Sequence, residues 1–187
     1  MSQYQVFPVP APPSPAHIQS YKSLRLLSLQ TNPESFSSKY ENEAKFTNDQ
    51  WRARVDPGPK GTKVTIVAAD GAQGNWAGMI TVLSPQYIDF TKYIPTELKR
   101  TRAVDSVYVI VGMWVHPEHR RRGLGKRLIE GAAAWIKERD PGSRTMLLEV
   151  LPVNKDAIAL YGKAGFSKVQ GAEVQTPGAI FMYSDLV

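Results

Sequence analysis

The stretch YVIVGMWVHPEHRRRGLGKRLI, Tyr108 to Ile129, decides how this chain is read. Tyr108 to Val115 are apolar, β-branched or aromatic apart from Gly112, the composition of a buried strand, and His116-Pro117 ends the run. A basic loop punctuated by glycine follows, Arg120-Arg121-Arg122-Gly123-Leu124-Gly125, and then apolar residues recur at helical spacing. Strand, glycine turn and helix together make an anion cradle. The first N–H groups of a helix have no intrahelical partner, the helix dipole is positive there, and glycine lets backbone approach a phosphate. The spacing is neither GxGxxG nor GxxxxGK[ST], which excludes the dinucleotide and P-loop fingerprints.

Downstream of the loop, Leu124, Leu128, Ala132, Trp135 and Ile136 share one helix face, and Asp140-Pro141-Gly142 stops the helix. Met146 to Leu151 reads as a strand, Asn154 to Lys163 as a helix capped by Gly165, and Phe166 to Glu173 with Ala179 to Tyr183 as a closing strand pair. Upstream, Tyr4 to Val9 fits a short edge strand, since Pro8 is tolerable only at an edge. Residues 8–15 form a proline-rich connector, read as a plain link rather than a polyproline ligand. From Ala16 the positions Ile18, Tyr21, Leu24, Leu27 and Leu29 suit a helix ending near Asn32-Pro33. A second helical region covers Ser35 to Val55, interrupted at Thr47-Asn48-Asp49, which can cap the piece carrying Trp51. Thr62 to Ala69 and Trp76 to Leu83 form a hairpin. Residues 85–105 read as a partly ordered insertion. The order is β-αα-ββ-β-α-β-α-ββ, an α/β (α+β) chain whose central strand, helix, strand unit implies a parallel pair in a mixed sheet.

A chain of 187 residues with 42% hydrophobic and 10% aromatic content suits a single domain, 1–187, with a full core. No apolar run approaches the ~18 residues of a membrane span, and the start lacks a signal-peptide layout, so the expected compartment is cytoplasmic, with a nuclear one left open. The absence of cysteine excludes disulfides, zinc-finger ligation and a Cys nucleophile. A formal charge of +6 favours anionic partners without separating nucleic acid from a phosphorylated cofactor.

Arg120-x-x-Gly123-x-Gly125, preceded by Val115-His116-Pro117, resembles the (Q/R)-x-x-G-x-(G/A) signature of the GNAT superfamily of acyl-CoA-dependent N-acyltransferases. RLLSLQTNPESFSSKYENE (25–43) with the following Trp51, VGMWVHP (111–117) and NKDAIALYGKAGF (154–166) are similar to segments of that family too, as is the element order. The resemblance therefore covers nearly the whole chain. It implies a splayed central parallel strand pair, acetyl-CoA as co-substrate and an amine acceptor attacked directly in a ternary complex. A small-molecule amine is slightly favoured over a protein amine. No metal is implied, and a homodimer is admitted because dimers are common in the superfamily.

Residue roles follow from the same likeness. Gly112 inside the apolar strand marks a bulge or a close approach, unless it only makes room for Trp135 or another large neighbour. Backbone groups of Met113, Trp114 and Val115 would bond the pantetheine amides. Arg120, Arg121, Arg122, Gly123, Leu124, Gly125 and Lys126 would hold the pyrophosphate, Arg121 and Arg122 replacing the glycine and lysine common in the family. Asn154, Ala157 and Tyr161, at i, i+3 and i+7, share a helix face that would look at the sulfur. Tyr161 would be the general acid toward the departing thiolate.

No residue stands out as the general base. Glu149 is the tentative candidate, and Asp105 and Ser106 are others. Glu34, Glu41 and Glu43 could draw in a cationic amine, and Tyr87, Phe90 and Tyr93 could cover an apolar one. His116 and His119 have HxxH spacing, but no Glu-rich helix accompanies them and they are read as strand-end and loop residues rather than ligands. Two rival functions are a catalytically silent acyl-CoA-binding protein and a nucleic-acid-binding module. The second is disfavoured because no aromatics interleave with the basic run.

Overall fold

The structure, a computed structural model, describes residues 4–58, 60–71, 74–87, 93–172 and 178–186. Seven strands form one sheet: β1 (Tyr4–Pro8), β2 (Lys63–Asp70), β3 (Trp76–Leu83), β4 (Val107–Val115), β5 (Arg144–Val150), β6 (Ser167–Lys168) and β7 (Ile180–Leu186). Their order is β1-β2-β3-β4-β5-β7-β6, and only β4 and β5 are parallel. The helices are α1 (Pro15–Thr31), α2 (Tyr40–Glu43), α3 (Asn48–Val55), α4 (Thr96–Lys99), α5 (Leu124–Arg139) and α6 (Lys155–Lys163). The expected order holds, with α2 and α4 added as single turns.

Local chemistry sets the helix starts. Ser14 and His17 form a reciprocal capping box before Pro15, and Thr47 and Gln50 form another that opens the Trp51 helix. Asn154 caps α6 by accepting from the Ala157 N–H. The closing strand is shorter than expected: β6 has two residues, prolonged by one bond from Val169 N–H to the Phe181 carbonyl. Gln170 and Gly171 form a turn instead of continuing the expected strand, and the last residue of that run, Glu173, falls outside the described residues. Within residues 85–105 the structure places α4 and a 3₁₀ turn, Val104–Ser106.

One face of the sheet packs on α5 and α6 through Tyr108, Ile110, Leu124, Leu128, Ile136, Met146 and Leu148. The other packs on α1 and α3 through Leu24, Trp51, Val67, Met79 and Trp114. Trp51 is fully buried, its ring 5.4 Å from Phe46 and 6.2 Å from Tyr21.

The stripe of α1 departs from the expected apolar one. Leu27 is 38% exposed, while Arg25 is 5% exposed and faces inward with Tyr21, Leu24, Ser28 and Leu29. A buried carboxylate is the reason. Arg25 Nε and Nη2 donate to the two oxygens of Glu43 at 3.0 and 2.8 Å, and Arg54 Nη2 donates to one of them at 3.0 Å. Burial opposes ionisation of Glu43, but the hydrogen bonds and charge of Arg25, then the charge of Arg54, outweigh it and hold the carboxyl below its ordinary value.

The central strand is bent where glycine foretold it. Met79 pairs with Trp114 and Thr81 with Val111, so β4 carries one more residue than β3 between those pairs. Gly112 lies in that interval at φ 62°, a left-handed conformation that a side chain resists. A Cβ built there meets nothing nearer than Arg25 Nη1 at 4.0 Å, so conformation rather than crowding by Trp135 requires the glycine. Parallel pairing with β5 ends at Ile110–Leu148, and beyond it the two strands separate.

Removing Glu43 would leave Arg25 buried and unpaired, so Glu43→Ala is expected to lose about 3–5 kcal/mol in denaturant unfolding. A loss below about 1 kcal/mol would show that the pair is not structural. Because the folded carboxyl titrates below its free value of 4.5, its contribution is complete above that pH and is lost as pH falls through the folded value. Stability of Glu43→Gln should accordingly fall less steeply in acid than that of the parent protein.

Candidate functional site

The opening between β4 and β5 leads into a cleft of about 550 Å³, within the size range of small-ligand sites. The ends of β4 and β5 each feed a helix through a short loop, so the starts of α5 and α6 border the same space. Met113, Trp114, Val115, Arg120, Arg121, Gly123, Leu124, Gly125, Lys126, Asn154, Ala157 and Tyr161 all line it. These residues are far apart in the chain and the topology gathers them. Arg122 is the exception among those expected there: it is absent from the lining, and its Nη1 donates to the Tyr4 hydroxyl at 2.8 Å.

The loop is built around two left-handed residues, Arg121 at φ 61° and Gly123 at φ 77°. Gly123 precedes α5 without a side-chain cap, and a Cβ there would meet nothing within 4 Å. The first N–H groups of α5 thus face the cleft with no side chain over them, which suits an anionic group. Gly125 has another role. Its Cβ would stand 2.6 Å from Leu160 Cδ2, so its bare backbone allows α5 to approach α6. Arg120 is fixed by two bonds, from Nε to the Val115 carbonyl at 2.9 Å and from Nη2 to Asn32 Oδ1 at 2.8 Å.

The basic run is divided. Arg120, Arg121 and Lys126 border the cleft, while Arg122 and Arg127 bond Tyr4 on β1, through its hydroxyl and its carbonyl. That division does not make the continuous basic face that a nucleic-acid backbone would need.

Tyr161 sits on the inward face of α6, 7% exposed, its ring 5.6 Å from Phe166. Among the described residues no side chain bonds its hydroxyl, and burial pushes the phenol up to about 12. It is therefore a persistent hydrogen-bond donor rather than a ready proton source. Asn154 Oδ1 accepts from the Ala157 N–H, and its Nδ2 donates to Ser35 Oγ at 3.4 Å, tying α6 to the turn after α1.

The candidates for a base separate by position. Glu149 follows the last β4–β5 pair, exposed, on the side of the sheet carrying Leu147, Val109 and Val111. Asp105 and Ser106 precede β4, seven and six residues before Gly112 or roughly 20 Å along the strand, too far to reach the opening.

A second cavity, of about 290 Å³, lies on the α1 side of the sheet and includes Val111 and Gly112 in its wall. Here the acidic expectation is reversed. Glu43 is committed to Arg25 and Arg54, Glu34 lines the first cleft, and Glu41 is exposed on α2. Arg25, Arg54 and Lys63 border this cavity instead. Tyr87 lines it, Tyr93 is 49% exposed, and Phe90 lies outside the described residues.

Sequence reasoning passed over Arg25, Lys63, Arg54 and Asn32. Asn32 Oδ1 accepts from both Trp114 Nε1, at 3.0 Å, and Arg120, joining α1 to the strand and the loop. A signal existed for Arg25, an arginine between Tyr21, Leu24 and Leu29 on an otherwise inward stripe.

His116, Glu118 and His119 bring potential metal-ligand atoms within 4.8 Å of one another. Both Nδ1 atoms are already engaged. That of His116 accepts from the Glu118 N–H and that of His119 bonds the Tyr4 hydroxyl.

Comparison with known proteins agrees with this geometry. The model of the Acetyltransferase (GNAT) family matches residues 23–166. An uncharacterized N-acetyltransferase, YobR of Bacillus subtilis (strain 168), is 34% identical over 74 residues, covering 40% of this chain and 29% of that protein. The match thus spans less than a third of that relative's length. Among solved structures, the GNAT domain of S. lividans PAT has a TM-score of 0.71 at 20% identity, over 98% of this chain and 90% of that one. Spermidine N-acetyltransferase from Vibrio cholerae, solved in complex with CoA and spermine, has a TM-score of 0.65 at 15% identity, over 100% and 97%. At these identities the likeness is one of fold. The family match, which begins inside α1 and runs to Phe166, takes in every element walling the larger cleft, and the chain belongs to the acetyltransferase (GNAT) family.

Proposed function

We propose that this protein is an N-acetyltransferase that moves an acetyl group from acetyl-CoA to a primary amine by direct attack in a ternary complex. The observation that carries this reading is the opening of β4 from β5 at the Gly112 bulge, directly beside an uncapped helix start. The thioester supplies an activated acyl group, so no enzyme nucleophile is needed, in keeping with a chain that lacks cysteine.

In this scheme the N–H groups of Leu124, Gly125 and Lys126, with the charges of Arg120 and Arg121, hold the pyrophosphate. The exposed backbone of Met113 to Val115, released from β5, bonds the pantetheine amides and steadies the carbonyl oxygen. The amine nitrogen attacks the carbonyl carbon, the carbon–sulfur bond breaks, and the electron pair leaves on sulfur. Tyr161 donates a hydrogen bond to that sulfur as charge develops. The ammonium form of an alkyl amine, of pKa near 10, must lose its proton before attack. Glu149, on the open side of the strand pair, is the proposed acceptor, acting through water.

A panel of amines, peptides and aminoglycosides incubated with acetyl-CoA, read by release of free thiol, tests the reading. Thiol release with at least one amine is expected. Binding of acetyl-CoA without release to any acceptor favours the silent acyl-CoA-binding protein, and neither binding nor release overturns the proposal.

Tyr161→Phe should lower kcat by about 10- to 100-fold, the loss of one hydrogen bond to a charged group, while coenzyme A affinity stays nearly constant. An unchanged kcat would remove the tyrosine from the chemistry. Its high pKa also fixes a pH dependence. The phenol keeps its proton until pH approaches 12, so wild type and Tyr161→Phe should show parallel rate profiles below about pH 10. A falling alkaline limb near pH 9 present only in the wild type would contradict this. Glu149→Gln should lower kcat with no change in coenzyme A binding, and retention of full turnover would disqualify Glu149.

A further inference from the structure

The smaller cavity on the α1 side has a chemical character that the acetyltransferase reading does not require. Three cations border it, Arg25, Arg54 and Lys63, and no carboxylate is among its described lining residues; Glu43 stands behind the two arginines, which take its oxygens. Asp56 also acts on Lys63, but it lines the neighbouring depression instead. Cationic side chains are usually a solvated face, yet Arg25 and Lys63 are each only 5% exposed.

Arg25 carries the argument. Two of its donors are locked onto Glu43, and its guanidinium lies 4.7 Å from the Phe36 ring centroid, so it cannot turn away. Its third terminus, Nη1, is buried and has no hydrogen-bond partner among the described residues. It lies 4.0 Å from the position a Gly112 Cβ would take, at the bulge itself. A buried charged donor without an acceptor is costly, and native proteins rarely keep one without a use.

Lys63 adds to this. Its ammonium donates to the Ala53 carbonyl and sits 5.2 Å from the Tyr87 ring centroid, and an ammonium has three protons to give. Burial lowers its pKa, an effect that an arriving anion would offset.

We propose that the acceptor amine bears an oxyanion, a carboxylate or a phosphate, which accepts from Arg25 Nη1 and neutralises the charge of Lys63. This rests on the acetyltransferase reading and names its acceptor class. Only a few bonds separate the anion from the amine, because Nη1 stands beside the bulge at which acyl transfer takes place. A polyamine is the wrong partner, since it would bring more positive charge to three fixed cations.

The experiment compares matched amines with acetyl-CoA: 3-aminopropanoate against 3-aminopropanamide, 2-aminoethyl phosphate against ethanolamine, and spermidine. At least one anionic member should exceed its neutral counterpart in kcat/KM by about tenfold or more, as a single charge-assisted hydrogen bond provides. The pair showing the larger ratio identifies carboxylate or phosphate. In Lys63→Met and Arg54→Gln, each with its melting temperature checked, the ratio should fall toward one through a rise in KM. Arg54→Gln keeps a donor for Glu43, so it avoids the unfolding risk of removing Arg25.

Turnover on neutral or cationic amines at equal or higher kcat/KM overturns the inference and leaves the acetyltransferase reading intact. A second measurement does not depend on turnover. With coenzyme A saturating, so that the glycine loop is filled, calorimetry should detect 3-aminopropanoate or 2-aminoethyl phosphate binding to wild type and weaker binding to Lys63→Met. Binding of neither anion to wild type overturns the proposal.

Discussion

The left-handed residue in the middle of β4 governs the rest of the molecule. An extra residue between the Trp114 and Val111 pairs breaks the register with β3, and the parallel ladder to β5 stops one residue before Val111. From there β4 and β5 carry backbone groups that neither gives to the other, and unpaired buried groups need another partner. The chain continues from each strand end into a helix, so the starts of α5 and α6 flank the gap. Right-handed crossover of the β4-α5-β5 unit puts α5 on one face of the sheet and leaves the other to α1 and α3. The gap is therefore reachable from both faces: one side leads to the glycine loop and the other to the cavity beneath α1.

The two sides differ in how their positive charge is held. The loop side relies on backbone N–H groups and on arginines at the surface, which suits a ligand whose phosphates stay partly solvated. The α1 side buries its arginine and the carboxylate that holds it. Replacing such a buried pair by well-packed apolar residues is often neutral or even stabilising by about 1–4 kcal/mol. Stability alone therefore gives no reason for Arg25 and Glu43. A fixed guanidinium with one donor left over does, because its position beside Gly112 matters for what enters there.

Much of this architecture could be read before any coordinates. Gly112 within an apolar strand signalled the bulge, Gly123 signalled the uncapped helix start that borders the cleft, and the i, i+3, i+7 spacing brought Asn154, Ala157 and Tyr161 to the same cleft. The misreadings share a cause. Leu27 was expected inside and Arg25 was passed over, because a stripe drawn on hydrophobicity cannot see a charge whose partner lies on another element. Glu43 was read as a lure for amines for the same reason: its partners come from α1 and α3, eighteen and eleven residues away. Arg122 could not be separated from Arg120 and Arg121 by composition. Its contact with Tyr4 depends on β1 being drawn beside α5, which is a tertiary fact. The β6 strand is brief because its ladder to β7 continues only as the single Val169 bond.

The most direct test of the account is backbone amide exchange with and without acetyl-CoA, followed residue by residue. The amides of Met113 to Val115 and of Leu124 to Lys126 should slow together on addition of the coenzyme, because one ligand spans the strand gap and the helix start. Slowing at the loop alone, with the β4 amides unchanged, would mean that the opened strand pair is not where the acyl group lies.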